Sequence, residues 1–295
     1  MLEHCGFVTL VGRSNVGKST LLNRLIGQKI SITSRKPQTT RSHLLGIKSN
    51  GNSQILYVDT PGLQKKSSNL ISRYMNREIF NALVDVDVVV HVIEAMKWNQ
   101  TDHEIMTRIQ NTGKPLILAI NKIDKIDEKS DLLPFIDKIE AASNYIDIIP
   151  LSAKTGKNID LLEEQITRQL PPGEKQYPDD QISNRNERYF AAEFIREKLT
   201  RQLGDEVPYN ISVVIDRFSE DERIITIHAT IWVATSGQKR IVIGKGGEIL
   251  KKIGIQARKD MEKMFGKKVF LETWVKIKEK WMTNPNALKQ FGYEN

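Results

Sequence analysis

The sequence predicts an α/β domain with a mostly parallel sheet flanked by helices, followed by a smaller α+β domain. Short apolar runs alternate with helical stretches up to about residue 170, the pattern of repeated strand–helix units. A glycine-framed octet containing a lysine lies between the first apolar run and the first helical stretch. At Leu170-Pro171-Pro172-Gly173 the periodicity breaks, and strictly alternating strands take over beyond it.

The first element is the buried strand Phe7-Val8-Thr9-Leu10-Val11, and Thr20 to Ile26 is a short helix ended by Gly27. Between them lies Gly12-Arg13-Ser14-Asn15-Val16-Gly17-Lys18-Ser19, which fits the pattern G-x-x-x-x-G-K-[ST]. Backbone N–H groups of such a loop cradle phosphates, the lysine reaches the β- and γ-oxygens, and the helix N-terminus favours anions. Ser19 can offer its hydroxyl to Mg²⁺, a hard ion that takes few protein ligands.

The strand Ile55-Leu56-Tyr57-Val58 ends in Asp59-Thr60-Pro61-Gly62. This places the Asp59 carboxylate near the metal, acting through a water, and lets the N–H of Gly62 approach a γ-phosphate. Val86 to Ile93, broken by Asp87 and His91, predicts a central strand. Leu116-Ile117-Leu118-Ala119-Ile120 predicts another, followed by Asn121-Lys122-Ile123-Asp124. A carboxylate at position 124 can accept from N1–H and the exocyclic amine of guanine, a pair of donors that adenine lacks on that edge. Lys122 can lay its stem along the base. Ser152-Ala153-Lys154, after Ile148-Ile149-Pro150-Leu151, is a small-residue loop able to present N–H groups to the guanine oxygen.

These motifs, in this order over residues 6 to about 170, resemble a translation-factor-type GTPase of the P-loop class. The resemblance implies GTP and GDP as ligands with Mg²⁺, and a threonine between the first two motifs that senses the γ-phosphate through the metal. Pro37-Gln38-Thr39-Thr40-Arg41 fits it. The family favours Thr40, with Thr39 as a competitor, inside a polar, basic loop from Ser31 to Ser42. Lys18, Thr40 and Gly62 are thus the expected catalytic set. Leu63 stands where Ras-like enzymes carry a water-orienting glutamine, so slow intrinsic hydrolysis is expected. In GTPases resembling this one, an asparagine at the position of Asn15 helps hold K⁺, which makes K⁺-stimulated hydrolysis an expectation.

At 295 residues the chain has room for two domains, and 39% hydrophobic with 27% charged residues is ordinary for a globular protein. No apolar run is long enough to span a bilayer, and with the N-terminus entering the first strand almost at once no signal peptide is expected. Cys5 is the single cysteine, which excludes an intrachain disulfide or a cysteine-cluster metal site, and the five histidines lack ligand spacing. A cytoplasmic location is expected. The formal charge is +8, unevenly spread. Lys239 to Lys289 holds 14 Lys/Arg against 5 Asp/Glu, whereas Glu174 to Glu222 holds 7 against 12. A basic C-terminal face of this kind points to RNA or anionic lipid.

The expected boundaries are a first domain over 1–172, a linker over 173–186 and a second domain over 187–295 with a basic tail. Ala191, Phe194, Ile195, Leu199 and Leu203 recur at helical spacing before Gly204 and Pro208. Ile211, Val213 and Ile215 alternate, as do Ile225 to Val233 and Val269 to Ile277. Gly244-Lys245-Gly246-Gly247 precedes a helix carrying Lys251, Lys252, Arg258 and Lys259. A G-x-x-G loop before a basic helix, within an αββααβ order, resembles a type II KH module, whose loop clamps about four nucleotides of single-stranded RNA. Ile243 to Gly247, Lys251, Lys252 and Arg258 are the expected RNA contacts. Arg240-Ile241-Val242-Ile243 has strand propensity, but the KH resemblance makes it a short helix. Trp232, Trp274 and Trp281 are expected to pack rather than stack on bases.

A GTPase domain followed by a KH domain resembles the Era family of bacterial GTPases across nearly the whole chain. Cys5-Gly6-Phe7 leading into the octet, Gln38-Thr39-Thr40-Arg41, Ile241 to Gly247 and Val275 to Trp281 carry the resemblance. Ser14 departs from it, replacing a usual proline, and Ala234-Thr235-Ser236 replaces a more charged approach. The resemblance implies a monomeric switch that binds near the 3′ end of 16S rRNA on the 30S subunit, acts in its assembly, and associates in part with the inner membrane surface. Two other readings of the same residues are a non-catalytic RNA-binding adaptor and a membrane-surface switch.

Overall fold

The computed structural model describes residues 3–34, 44–59, 85–141, 143–203, 211–279 and 281. They divide into two compact units. Residues up to Ser31, 44–59 and 85–184 form the first; Ile32–Ser34 and the chain from Arg185 form the second.

The first unit is a six-stranded sheet, ordered β2-β3-β1-β4-β5-β6. Its strands are β1 (His4–Val11), β2 (Leu44–Asn50), β3 (Ser53–Asp59), β4 (Val88–Glu94), β5 (Leu116–Asn121) and β6 (Asp147–Pro150). All neighbours run parallel except β2, which forms an antiparallel hairpin with β3. A parallel sheet covered on both faces needs continuous apolar strands, and β4 and β5 supply them. Val89 and Ile93 face α2 (Gln100–Gln110) and α3 (Leu132–Glu140) through Ile105, Ile109 and Ile139. Leu21, Leu22 and Leu25 of α1 (Lys18–Ile26) are buried beside α4 (Ile159–Gln169), whose Leu162 and Ile166 are fully covered. Burial of each such side chain contributes about 1.5–3 kcal/mol. Helix α2 is fixed at its start by a capping box, in which Asn99 accepts from the Thr101 and Asp102 N–H groups and Asp102 from that of Asn99. The parallel arrangement brings the ends of β1, β3, β4 and β5 to one edge, where ligands of such sheets bind.

Residues 173–184, polar enough to read as a linker, are hydrogen-bonded to this unit. Ile47 N–H donates to Ile182 O at 2.9 Å and Ser183 Oγ to Leu45 O at 2.8 Å, so the chain covers the free edge of β2. Gln54, fully buried, donates to Tyr177 O and accepts from the N–H groups of Gln176 and Tyr177.

The second unit follows the order α5 (Glu187–Gln202), β7 (Ile211–Glu220), β8 (Ile224–Val233), α6 (Ser236–Ile243), α7 (Glu248–Phe265) and β9 (Lys268–Ile277). Its sheet is ordered β7-β8-β9, antiparallel then parallel. Ile225, Ile227, Ala229, Ile231 and Val233 line one face, and α5 and α7 pack against each other in the same unit through the buried sets Phe194, Ile195, Leu199 and Ile253, Ala257, Met261. The segment with strand propensity is helical. Thr235 caps α6 by accepting from Gln238 N–H, and Gln238 Oε1 accepts from Ala234 N–H, which fixes the first turn from which the β-branched Ile241, Val242 and Ile243 continue as helix. Trp281 is fully buried, while Trp274 is 40% exposed.

Candidate nucleotide site and RNA groove

In the first unit the octet links β1 to α1 as a tight loop. Gly17 has φ 107° and a Cβ there would lie 2.3 Å from Asn121 Nδ2, so the position admits only glycine. Lys18 is buried and donates to Gly12 O at 2.9 Å and Arg13 O at 2.8 Å. Burial lowers its pKa to about 8, with Asp59 opposing and Arg13 assisting that shift. Arg13 Nε donates to the buried Asp102 at 2.7 Å and its Nη2 to Lys97 O. Ser14 and Ser19 are half-buried and Asn15 is exposed, at φ 67°. Asp59, at the end of β3 opposite Leu10, is fully buried and accepts from Ser31 Oγ at 2.6 Å.

Asn121 closes β5 and ties three loops together. Its Nδ2 donates to Val16 O at 2.8 Å, and its Oδ1 accepts from Lys122 N–H at 2.8 Å and Ala153 N–H at 2.9 Å. Lys122 Nζ donates to Asn15 O at 2.6 Å and pairs with Glu94 at 2.5 Å. Burial pushes Glu94 up, but the Lys122 and Lys97 ammonium groups outweigh it and hold the carboxyl at about 2. Ile123 packs into the cluster around Leu118 and Ile139. Asp124 Oδ1 accepts from Ser152 Oγ at 2.6 Å.

The structure therefore brings Gly12 to Ser19, Asp59, Asn121 to Asp124, Ser152 and Ala153 to one sheet edge. Thr39, Thr40, Thr60, Pro61, Gly62 and Leu63 lie outside the described residues. Sequence reasoning missed Glu94 and Ser31. Glu94 pairs in register with Asn121 at the ends of adjacent parallel strands, a position from which a strand-terminal carboxylate can be read. The Ala153 N–H, expected to face a base, is turned to Asn121 instead. The donors suited to a hard cation are the Ser19 hydroxyl and the Asp59 carboxylate, a set that fits Mg²⁺ completed by phosphate oxygens and water.

In the second unit α6 ends at Ile243 and Gly244 turns the chain at φ 75°, where a Cβ would meet Ile249 at 2.6 Å. Lys245 is exposed at the tip and α7 starts at Glu248, just past Gly246 and Gly247. Beside the loop, α7 and β9 enclose a groove of about 540 Å³ lined by Gly247, Leu250, Lys251, Gly254, Arg258 and Phe270. Lys252 is exposed one residue beyond Lys251, and Phe270 is 51% exposed. A small-residue strip flanked by cations and an aromatic ring suits a backbone phosphate and a stacked base.

Comparison with known proteins agrees with both halves. A family described as a 50S ribosome-binding GTPase matches residues 7–122, and the KH domain family matches residues 206–282. The chain is 49% identical over 291 residues to the GTPase Era of Pseudomonas aeruginosa (strain LESB58), covering 99% of this chain and 95% of that one. It is also 49% identical to the GTPase Era of Ectopseudomonas mendocina (strain ymp), covering 99% and 98%. Two solved structures match with TM-score 0.94 and 39% identity, covering 99% of this chain and all of theirs. One is Era in complex with MgGDPNP and nucleotides 1506–1542 of 16S ribosomal RNA; the other is a variant of Aquifex aeolicus Era bound to GDP and AlF₄⁻.

Proposed function

Because the chain belongs to the Era family of GTPases, we propose that it is a switch that binds 16S rRNA near its 3′ end during assembly of the 30S subunit. One observation carries the nucleotide half: Asn121 joins the phosphate loop, the Lys122 backbone and the Ala153 loop through three hydrogen bonds. In this reading Gly12 to Ser19 cradle the phosphates, with Lys18 turning from the Gly12 and Arg13 carbonyls to the β- and γ-oxygens. Ser19, Thr40 and Asp59 serve Mg²⁺, and Thr60 to Leu63 adjoin the γ-phosphate. Asp124 reads the guanine edge. Asn121, whose amide is engaged within the protein, orients the three loops rather than touching the base.

The decisive experiment exchanges acceptor for donor at the base. Asp124→Asn should move preference from GTP to XTP, since xanthine carries a carbonyl where guanine carries the amine. Wild-type preference for ATP, or GTP preference surviving in Asp124→Asn, would defeat the assignment.

The RNA half rests on the groove. Gly244 to Gly247, Lys245, Lys251, Lys252 and Arg258 take the sugar–phosphate backbone of a single strand, and Phe270 stacks on a base. With Leu63 unable to orient water, intrinsic turnover is slow and RNA engagement accelerates it. Asn15, its backbone carbonyl held by Lys122, is the K⁺ position. If turnover is the same in Na⁺ and K⁺, that part of the reading fails. A monomer in the cytoplasm, with a peripheral contact between the basic second unit and anionic lipid, completes the reading. No described helix is long and apolar enough to cross a membrane. Vesicle co-sedimentation beside an RNA gel shift, across a salt series, ranks lipid against RNA.

A further inference from the structure

We infer that two consecutive residues near the end of α1, Asn23 and Arg24, are positioning residues for opposite ends of the nucleotide site: Asn23 for the Mg²⁺ carboxylate, Arg24 for the base loop. The inference rests on the nucleotide reading above. Neither residue belongs to the octet.

Every polar atom of the Asn23 side chain is spent on one short segment. Its Oδ1 accepts from the N–H groups of Ile30 at 2.9 Å and Ser31 at 2.8 Å, and its Nδ2 donates to Ser31 O at 2.7 Å. Ser31, so clamped, donates its hydroxyl to Asp59 Oδ2 at 2.6 Å, with Ser31 4% exposed and Asp59 fully buried. Asparagine is a poor helix former, so its place inside α1 is explained by this clamp rather than by propensity. The rotamer of the Asp59 carboxylate is thus set from α1 through Ser31.

Successive residues of a helix point about 100° apart, and Arg24 reaches the other side. Its Nε donates to Ala153 O at 3.3 Å and its Nη2 to Lys154 O at 2.8 Å. That loop carries Ser152, which donates to Asp124, and Ala153, whose N–H binds Asn121. A planar fork of donors on two consecutive carbonyls fixes the loop's path, and hence the aim of Asp124.

Release of a fluorescent GDP analogue from the full chain, with Mg²⁺ and with EDTA, reports the metal end. Competition by GDP against IDP, which lacks the 2-amino group, reports the base end. Asn23→Ala should lose most of the slowing that Mg²⁺ gives while keeping the GDP-over-IDP preference. Arg24→Ala should lower that preference about tenfold, the worth of one or two hydrogen bonds, while keeping the Mg²⁺ effect. Each variant is the other's control for folding. The milder Asn23→Ser and Arg24→Lys should show the same separation, reduced, and serve where an alanine variant does not fold. If both readouts move together in each variant, or neither moves, the inference is overturned. Absence of GDP binding by the unaltered chain would instead overturn the nucleotide reading itself.

Discussion

Asn121 Nδ2 lies 2.8 Å from the carbonyl oxygen of Val16, a hydrogen bond between residues 105 positions apart in the chain. It crosses from the end of β5 to the phosphate loop and passes over Gly17, whose missing side chain leaves it room. Two further bonds on Oδ1 make this amide the junction of the site.

Replacing Asn121 with alanine leaves Val16 O, Lys122 N–H and Ala153 N–H to find other partners. Each unsatisfied buried group costs about 1–3 kcal/mol. Thermal unfolding should therefore shift down, and calorimetric GDP affinity should fall by more than about tenfold. Gly17→Ala should reproduce the affinity loss by pushing the amide away. Unchanged affinity in both variants would refute this role.

Lys18 gives a pH signature. Its pKa of about 8 in the free protein lies below the ordinary 10.5 because burial disfavours the ammonium. Between these values the unfolded chain binds the extra proton, so stability of the free protein should rise as pH rises from about 8 toward 10.5. A bound phosphate favours the ammonium, so nucleotide binding near pH 9 should take up a proton and weaken as pH rises further. Calorimetry in buffers of differing ionisation enthalpy measures the uptake, and Lys18→Ala should abolish it.

His91, fully buried in β4, accepts or donates at Nδ1 with Tyr145 at 2.7 Å, while its Nε2 has no partner among the described residues. Burial, with smaller contributions from Lys18 and Arg13, lowers its pKa from 6.5 to about 3. The neutral ring is favoured in the fold, so stability should fall as pH drops from 6.5 toward 3, by up to a few kcal/mol. His91→Phe should flatten that part of the curve in chemical denaturation. A curve of unchanged slope would mean that other groups carry the acid sensitivity.

For the groove, binding of a single-stranded oligonucleotide should weaken with salt. Lys251→Ala and Arg258→Ala should each reduce the slope of log K against log salt by about 0.7. Phe270→Ala should cost affinity by about 1–3 kcal/mol while leaving the slope intact, because stacking releases no counterions.

Much of this was legible in residues 7–19, where apolar strand, glycine-framed loop and helix are contiguous, and in Asn121-Lys122-Ile123-Asp124 after a continuous apolar strand. The glycine loop before α7 was legible for the same reason. Glu94 and Ser31 were not, because their partners Lys122 and Asp59 lie 28 residues away in each case, brought to Glu94 by the pairing of β4 with β5 and to Ser31 by the loop that Asn23 clamps. Asn23 and Arg24 look like an ordinary polar face of a helix until the loops they hold are in place. The helix α6 contradicts its β-branched residues because a side-chain cap and tertiary context outweigh propensity. Residues 173–184 are a different case: their polar composition suggests free chain, whereas Ile182 O, Ser183 Oγ and Asn184 Oδ1 bond the Ile47 N–H, Leu45 O and Leu45 N–H of β2, a pairing that composition does not report.

That pairing bears on how the first domain can be isolated. A fragment ending at Pro172 would strip β2 of its cover and leave an unpaired strand edge open to other copies, an invitation to aggregate. A fragment carried through Asn184, whose Oδ1 accepts from Leu45 N–H, would keep that edge sealed and should stay dispersed at concentrations where the shorter one precipitates.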